Sequence, residues 1–231
     1  MTLALLILAG LGACDGDTEL DPLAAGGRRP DVVLITLDTT RADRLGAYGY
    51  APAQTPNLDA LAARGRRYAR ASSPLPLTIP AHAALLTGTL PARLGIHDNG
   101  SAALGPEEIT LAEVLKVSGY RTGAATAAYV TSEQWGFGQG YDWFDDDWQA
   151  GEGGGDKGFW HAHRSAEAVV DSALMWLAGS EPDQPRHLWV HLYDAHFPYR
   201  PPAPFDQTER PYDGELAYVD AQVGRLLAAF D

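Results

Sequence analysis

The 231 residues are enough for one domain, and a hydrophobic content of 45% supplies a core, which excludes disorder as the main state. Thirty acidic residues against 17 basic ones leave a formal net charge of −13. That balance argues against nucleic acid as a partner, because a polyanion needs a basic surface. The single cysteine, Cys14, excludes an internal disulfide.

Residues Met1 to Ala13 are almost wholly apolar and end in Leu11-Gly12-Ala13-Cys14. The run falls short of the roughly 20 residues of a transmembrane helix and suits a signal peptide; a buried helix is the alternative. It resembles the lipobox of bacterial lipoproteins. That resemblance implies a signal peptide over 1–13, lipidation at Cys14, and a protein lipid-anchored outside the cytoplasm to a bacterial membrane, in the periplasm or at the cell surface. Residues 14–29, rich in Gly, Asp and Pro, read as a linker. A domain spans 30–231.

Asp31 to Leu37 is a continuous apolar run with β-branched residues, the pattern of a strand buried on both faces. It leads into Asp38. In open α/β sheets ligands bind beyond the carboxyl ends of strands, so Asp38 is placed either to hold a metal or to cap its own loop. Thr55 to Gly65 starts polar, carries an early Pro and ends in Gly, which predicts a helix. The arginines at 64, 66, 67 and 70 then read as a solvated face.

Leu77 to Gly88 predicts a helix with Pro80 at its first position and Gly88 at its end. Thr78 falls where unpaired N–H groups and the helix dipole favour an anion, so it is either the helix cap or a nucleophile toward an anionic ester. Thr89 to Gly100 reads as a polar loop, Thr110 to Ser118 as a capped helix and Tyr120 to Ala128 as a strand. Gln139 to Trp148 has four aspartates without EF-hand spacing, so an exposed acidic loop is expected rather than a calcium site. Gly151 to Gly158 reads as a flexible loop, and His161 and His163 as surface histidines. A helix over Ser165 to Ala178, a strand over His187 to Tyr193 and a helix over Asp213 to Phe230 complete the pattern. His191 in that strand reads as structural. Alternating strands and helices imply an α/β fold with a largely parallel or mixed sheet flanked by helices.

Four stretches, Asp31 to Asp38, Thr55 to Asp59, Thr78 to Gly88 and His196 to Tyr199, together resemble the sulfatase family of the alkaline phosphatase superfamily. The resemblance implies an alkaline phosphatase-like fold, Asp38 as a metal ligand, Thr78 as both nucleophile and metal ligand, and His196 as a contact to substrate. Sulfatases usually carry a Cys or Ser oxidised to formylglycine where this chain has Thr78, a second metal-binding Asp at Thr39, and an Arg at His82. The Thr-x-Pro-x-His arrangement is more similar to the superfamily's phosphodiesterases, which use an unmodified Thr, and to its phosphonate hydrolases. In those phosphodiesterases Asn99 matches a phosphate-contacting Asn, and His82 either contacts substrate or braces the nucleophile loop. The family's remaining metal ligands come from a downstream Asp-His-Gly type segment, so the resemblance implies the N-terminal portion of the fold, its C-terminal part missing. The activity implied by resemblance is that of a metal-dependent hydrolase of small sulfate or phosphate esters, using calcium, zinc or manganese. The alternatives are a phosphotransferase of the same superfamily and an inactive lipoprotein fragment.

Overall fold

The computed structural model describes residues 4–5, 29–148, 162–181 and 183–230. Cys14, the linker 14–29 except for Arg29, the glycine-rich stretch 151–158 and His161 lie outside the described residues. Five strands, β1 (Ala4–Leu5), β2 (Val32–Leu37), β3 (Arg121–Thr126), β4 (Trp143–Asp145) and β5 (Arg186–Leu192), form one sheet in the order β1-β2-β5-β3-β4. The pairs β2–β5, β5–β3 and β3–β4 are parallel, and the two-residue β1 joins the edge antiparallel. The helices are α1 (Pro56–Arg64), α2 (Thr78–Thr87), α3 (Pro91–Leu94), α4 (Leu111–Val117), α5 (Ala166–Ala178) and α6 (Pro211–Leu227). None of the described helices is long and apolar enough to cross a membrane. The α/β expectation is met.

The two faces of the sheet differ in chemistry because strand side chains alternate. Val33, Ile35 and Leu37 of β2 and Leu188, Val190 and Leu192 of β5 make an apolar face. Helix α5 packs on β3 and β5, and α6 packs on α5 and α1. Gly123 of β3 lets the Trp176 ring of α5 lie close against the sheet; a Cβ there would fall 2.5 Å from Trp176 Cε2. The other face carries Thr36, Asp38, His187, Trp189 and His191, all buried, with His82 of α2 lying against Trp189 and His191. The central strands are therefore buried on both faces, as expected, but one of those faces is polar.

Three local expectations are corrected. The loop over 89–100 contains α3, started by Pro91 and closed by Gly95 at φ 68°. The acidic stretch is no exposed loop: it contributes the edge strand β4. There Asp145 accepts from Arg164 Nη1 at 2.9 Å and from the Ser172 hydroxyl, and Asp142 pairs with Lys116 at 2.6 Å. Helix α2 begins at Thr78, so Pro80 is its third residue.

The Thr55 to Asp59 stretch is structural. Thr55 Oγ1 accepts the Gly46 N–H at 3.1 Å, and Asp59 Oδ1 accepts the Ala47 N–H at 2.6 Å. The first turn of α1 is capped from afar: Asp220 of α6 accepts the N–H groups of Asn57 at 3.1 Å and Leu58 at 2.8 Å, and the Asn57 amide at 2.8 Å.

Candidate active site

The polar face ends at the carboxyl edge of β2 and β5. The Asp38 N–H continues the parallel ladder to Leu192 O at 2.9 Å, which fixes the carboxylate at the strand exit. Thr39 then turns the chain at φ 50°, a left-handed backbone that a β-branched residue adopts only when its surroundings enforce it. Those surroundings are visible. Thr39 Oγ1 donates to Ala195 O at 2.7 Å, and Tyr212 donates to Thr39 O at 2.8 Å. The Thr39 side chain is thus committed to the loop after β5.

Thr78 meets Asp38 at the start of α2. The Thr78 hydroxyl donates to Asp38 Oδ2 at 3.2 Å, and both residues are buried. Thr78 is not the helix cap. Leu77 holds the cap position and has no side chain able to bond the open N–H groups. Asn99, from the loop after α3, does this instead, with Oδ1 accepting the Ile79 N–H at 2.9 Å. Pro80 has no N–H to offer, and Ala81 N–H returns to Leu77 O at 3.1 Å. The first turn of α2 therefore presents fewer open donors than the sequence pattern suggests. For an anion held beside Thr78, the Thr78 N–H at the head of the helix is one donor, and the Asn99 amide, its carbonyl already used, is a side chain with donors to spare.

His82 lies one turn along α2, 2% exposed, with Nδ1 at 2.8 Å from Thr78 O. A carbonyl only accepts, so the proton is on Nδ1 and His82 braces the backbone of Thr78. Burial holds its pKa below the ordinary imidazole value. His82 also touches a cavity of about 390 Å³ between α2 and the 71–74 segment. His191 of β5 stands edge-on to His82, ring centroids 4.7 Å apart, with Nε2 at 3.8 Å from Asp38 Oδ2. Burial, and secondarily His82, push the His191 pKa well down. Asp38 shows the converse: burial raises its carboxyl pKa, and His82, the Thr78 hydroxyl and the Thr39 N–H only partly offset this.

The loop after β5 brings His196 to the same edge. Thr39 anchors Ala195, and His196 follows, stacked on Tyr193 with centroids 4.4 Å apart and Nδ1 at 2.8 Å from Phe197 O. Behind it, Asp194 is 8% exposed with one carboxylate oxygen unpartnered among the described residues, and burial pushes its pKa up to about 6. Glu215 of α6 is pushed up to about 7, by burial first. Among the residues singled out in the sequence, Asp38, Thr78 and His82 are brought into one cluster, Asn99 is bonded into its helix turn, and His196 stands on the adjoining loop. His191, which the sequence pattern marks as structural, places its Nε2 toward Asp38. Its signal was the period-two alternation His187, Trp189, His191, Tyr193 inside an otherwise apolar strand.

Among the described residues no group of three or more His, Cys, Asp or Glu side chains is placed to hold a metal ion. Asp38 and Thr78 provide two adjacent oxygen donors, the type that hard divalent cations take. Asp38 is 2% exposed and, among the described residues, no Lys or Arg pairs with it; the nearest ring nitrogen, His191 Nε2, stands 3.8 Å away. A cation there would offset the burial of its charge, so these residues fit part of a ligand set.

A family model described as Sulfatase matches residues 30–231. Arylsulfatase A of Homo sapiens is 31% identical over an alignment of 255 positions, gaps included, that covers 90% of this chain and 50% of the human protein. The chain thus spans half the length of that relative. Two solved structures share the fold. A protein in the alkaline phosphatase superfamily from Vibrio parahaemolyticus superposes with a TM-score of 0.67 at 22% identity, covering 88% of this chain and 50% of that one. The C-terminal periplasmic domain of EcEptC from Escherichia coli, solved in complex with Zn, gives a TM-score of 0.63 at 22% identity, covering 89% and 60%.

Proposed function

The chain belongs to the sulfatase family, and on that premise we propose that it carries the nucleophile end of a metal-dependent hydrolase of small sulfate or phosphate esters, with Thr78 as nucleophile. The observation that carries the reading is the 3.2 Å hydrogen bond from the Thr78 hydroxyl to buried Asp38, at the first residue of a helix whose cap comes from another loop. In the reaction Thr78 Oγ1 bonds to sulfur or phosphorus as the bond from that atom to the leaving alcohol's oxygen breaks. The hydroxyl proton, already directed at Asp38 Oδ2, is delivered in the net reaction to the leaving alcohol. Water then cleaves the Thr78 ester and releases the anion. The Asn99 amide is the side chain to donate to the non-bridging oxygens, and His196, whose Nδ1–H is held by Phe197 O, joins it only when Nε2 also carries a proton; each well-placed donor is worth about 3 kcal/mol in the transition state.

Asp38 and Thr78 would hold a divalent cation, calcium, zinc or manganese; the zinc complex of the Escherichia coli neighbour is in keeping with such an ion. When bound, the cation supplies the positive charge that lets a hydroxyl act as a nucleophile at neutral pH. Lipidation at Cys14 and a membrane-anchored position outside the cytoplasm belong to the same proposal. Turnover of an aryl sulfate, an aryl phosphodiester and an aryl phosphonate with each metal added in turn tests it. Thr78→Ala is expected to lose at least about a thousandfold in kcat, the scale of losing a nucleophile, while Thr78→Ser keeps a hydroxyl and measurable activity. Unchanged turnover by Thr78→Ala would refute the assignment.

A further inference from the structure

Asp38 has a supporting arrangement behind it that the proposed reaction does not by itself require. Thr36 and His191 are register partners across the parallel β2–β5 pair, and Trp189 lies on the same face of β5 two residues earlier. The Trp189 indole N–H, a donor only, donates to Thr36 Oγ1 at 3.0 Å. Thr36 Oγ1 is in turn 2.8 Å from His191 Nδ1. Thr36 is buried where it lines the cavity beside α2, and with the indole donating to its Oγ1, its own hydroxyl proton is free to be given to His191 Nδ1, the acceptor in hydrogen-bond reach among the described residues.

The direction of this chain decides the tautomer. With Nδ1 accepting, the neutral imidazole carries its proton on Nε2. Among the described residues that nitrogen has no hydrogen-bond partner, and it stands 3.8 Å from Asp38 Oδ2, the oxygen that also accepts from Thr78. His82 cannot substitute, because its proton is on Nδ1 toward Thr78 O. We propose that His191 is a positioning residue: the Trp189–Thr36–His191 chain locks an Nε2–H that faces Asp38 Oδ2 and fixes which way the carboxylate presents itself to Thr78. Carboxylates that hold metals are characteristically oriented by neighbouring donors; at 3.8 Å the His191 Nε2–H acts on Asp38 as an oriented electrostatic contact, longer than a hydrogen bond. The inference rests on the reading of Asp38 as the metal-holding carboxylate.

Two measurements on the full chain test it separately. Long-range ¹H–¹⁵N NMR of the histidine rings is expected to show His191 as the Nε2–H tautomer in the wild-type protein. Thr36→Ser should preserve that tautomer, and Thr36→Val should mix it with the other. An Nδ1–H tautomer in the wild type overturns the proposal without recourse to any variant. In the second measurement, calorimetric titration with Mn²⁺, His191→Leu should bind about 10- to 100-fold more weakly than wild type. His191→Gln, which returns an N–H donor near the Nε2 position, should recover most of the loss. Equal Mn²⁺ affinity in His191→Leu and wild type overturns the positioning role. If the wild type itself binds no Mn²⁺, the metal reading of Asp38 fails, and the wild-type tautomer then decides the inference alone.

Discussion

Asn99 is the residue at which stability and catalysis can be separated. Its Oδ1 accepts the Ile79 N–H at 2.9 Å, and with Asn99 in place Ile79 is wholly buried. Losing a side-chain helix cap costs about 0.5–2 kcal/mol, and leaving a buried donor unsatisfied costs about 1–3 kcal/mol. The overlap places Asn99→Ala at about 1–2 kcal/mol of lost stability. For a domain of this size each kcal/mol corresponds to roughly 2–4 °C, so the melting temperature should fall by about 2–8 °C. Asn99→Asp differs in kind: a carboxylate still accepts from Ile79 and suits the positive end of the helix, so its melting temperature should stay close to wild type. It loses the amide donors, however, and adds negative charge where an anionic ester must sit. A lost donor worth about 3 kcal/mol predicts a fall in kcat/KM on the order of a hundredfold for Asn99→Asp. Thermal melts followed by circular dichroism and steady-state kinetics on the same preparations make the comparison. Wild-type turnover in Asn99→Asp would refute the donor role, and an unshifted melt in Asn99→Ala would refute the cap.

Removing the three bonds that Asp220 accepts from the start of α1, by Asp220→Ala, should destabilise the protein by about 2–4 kcal/mol, and denaturant unfolding reads this directly. Asp194 and Glu215 have folded pKa values raised to about 6 and about 7. A carboxyl raised on folding contributes stability that is present below its unfolded value and lost as pH rises through the folded one. Their contribution therefore falls between about pH 4 and pH 7. The double variant Asp194→Asn/Glu215→Gln should gain melting temperature relative to wild type as pH is raised across that window; parallel curves would contradict the pKa assignment. Cys14→Ser should move the protein from the membrane fraction to the soluble fraction of a bacterial host and abolish incorporation of labelled fatty acid, whereas retention in the membrane would sink the lipid-anchor reading.

The layered α/β order was legible because each element carries its own signal: continuous apolar runs for β2 and β5, and capping residues or Gly at the ends of α1, α4 and α5. The acidic stretch misled because β4 is short, lies at the sheet edge and carries its charge on Asp142 and Asp145, whose partners Lys116, Arg164 and Ser172 are distant in sequence. The start of α2 misled for a related reason. Pro80 and Thr78 have strong local preferences for first-turn and cap positions, yet a cap supplied by Asn99 allows the helix to begin at Thr78 and releases the threonine side chain toward Asp38.

That release is the physical link between fold and chemistry in this chain. A threonine that caps its own helix uses its oxygen as an acceptor of backbone N–H groups and is unavailable as a nucleophile. Here the capping duty sits on Asn99, and the backbone carbonyl of Thr78 is held by His82. The side-chain group of Thr78 left to act is its hydroxyl, bonded to a single carboxylate oxygen. The same division of labour recurs at Asp38, where Thr39 takes the anchoring contact to the β5 loop and leaves the carboxylate to face Thr78 and His191. In the sequence both pairs are adjacent or one helical turn apart. Which member anchors and which is free is decided by partners 20 residues away for Ile79 and Asn99, and 156 residues away for Thr39 and Ala195. Local pattern therefore singles out the positions proposed to react, and the tertiary bonds show which of their groups are held in the structure.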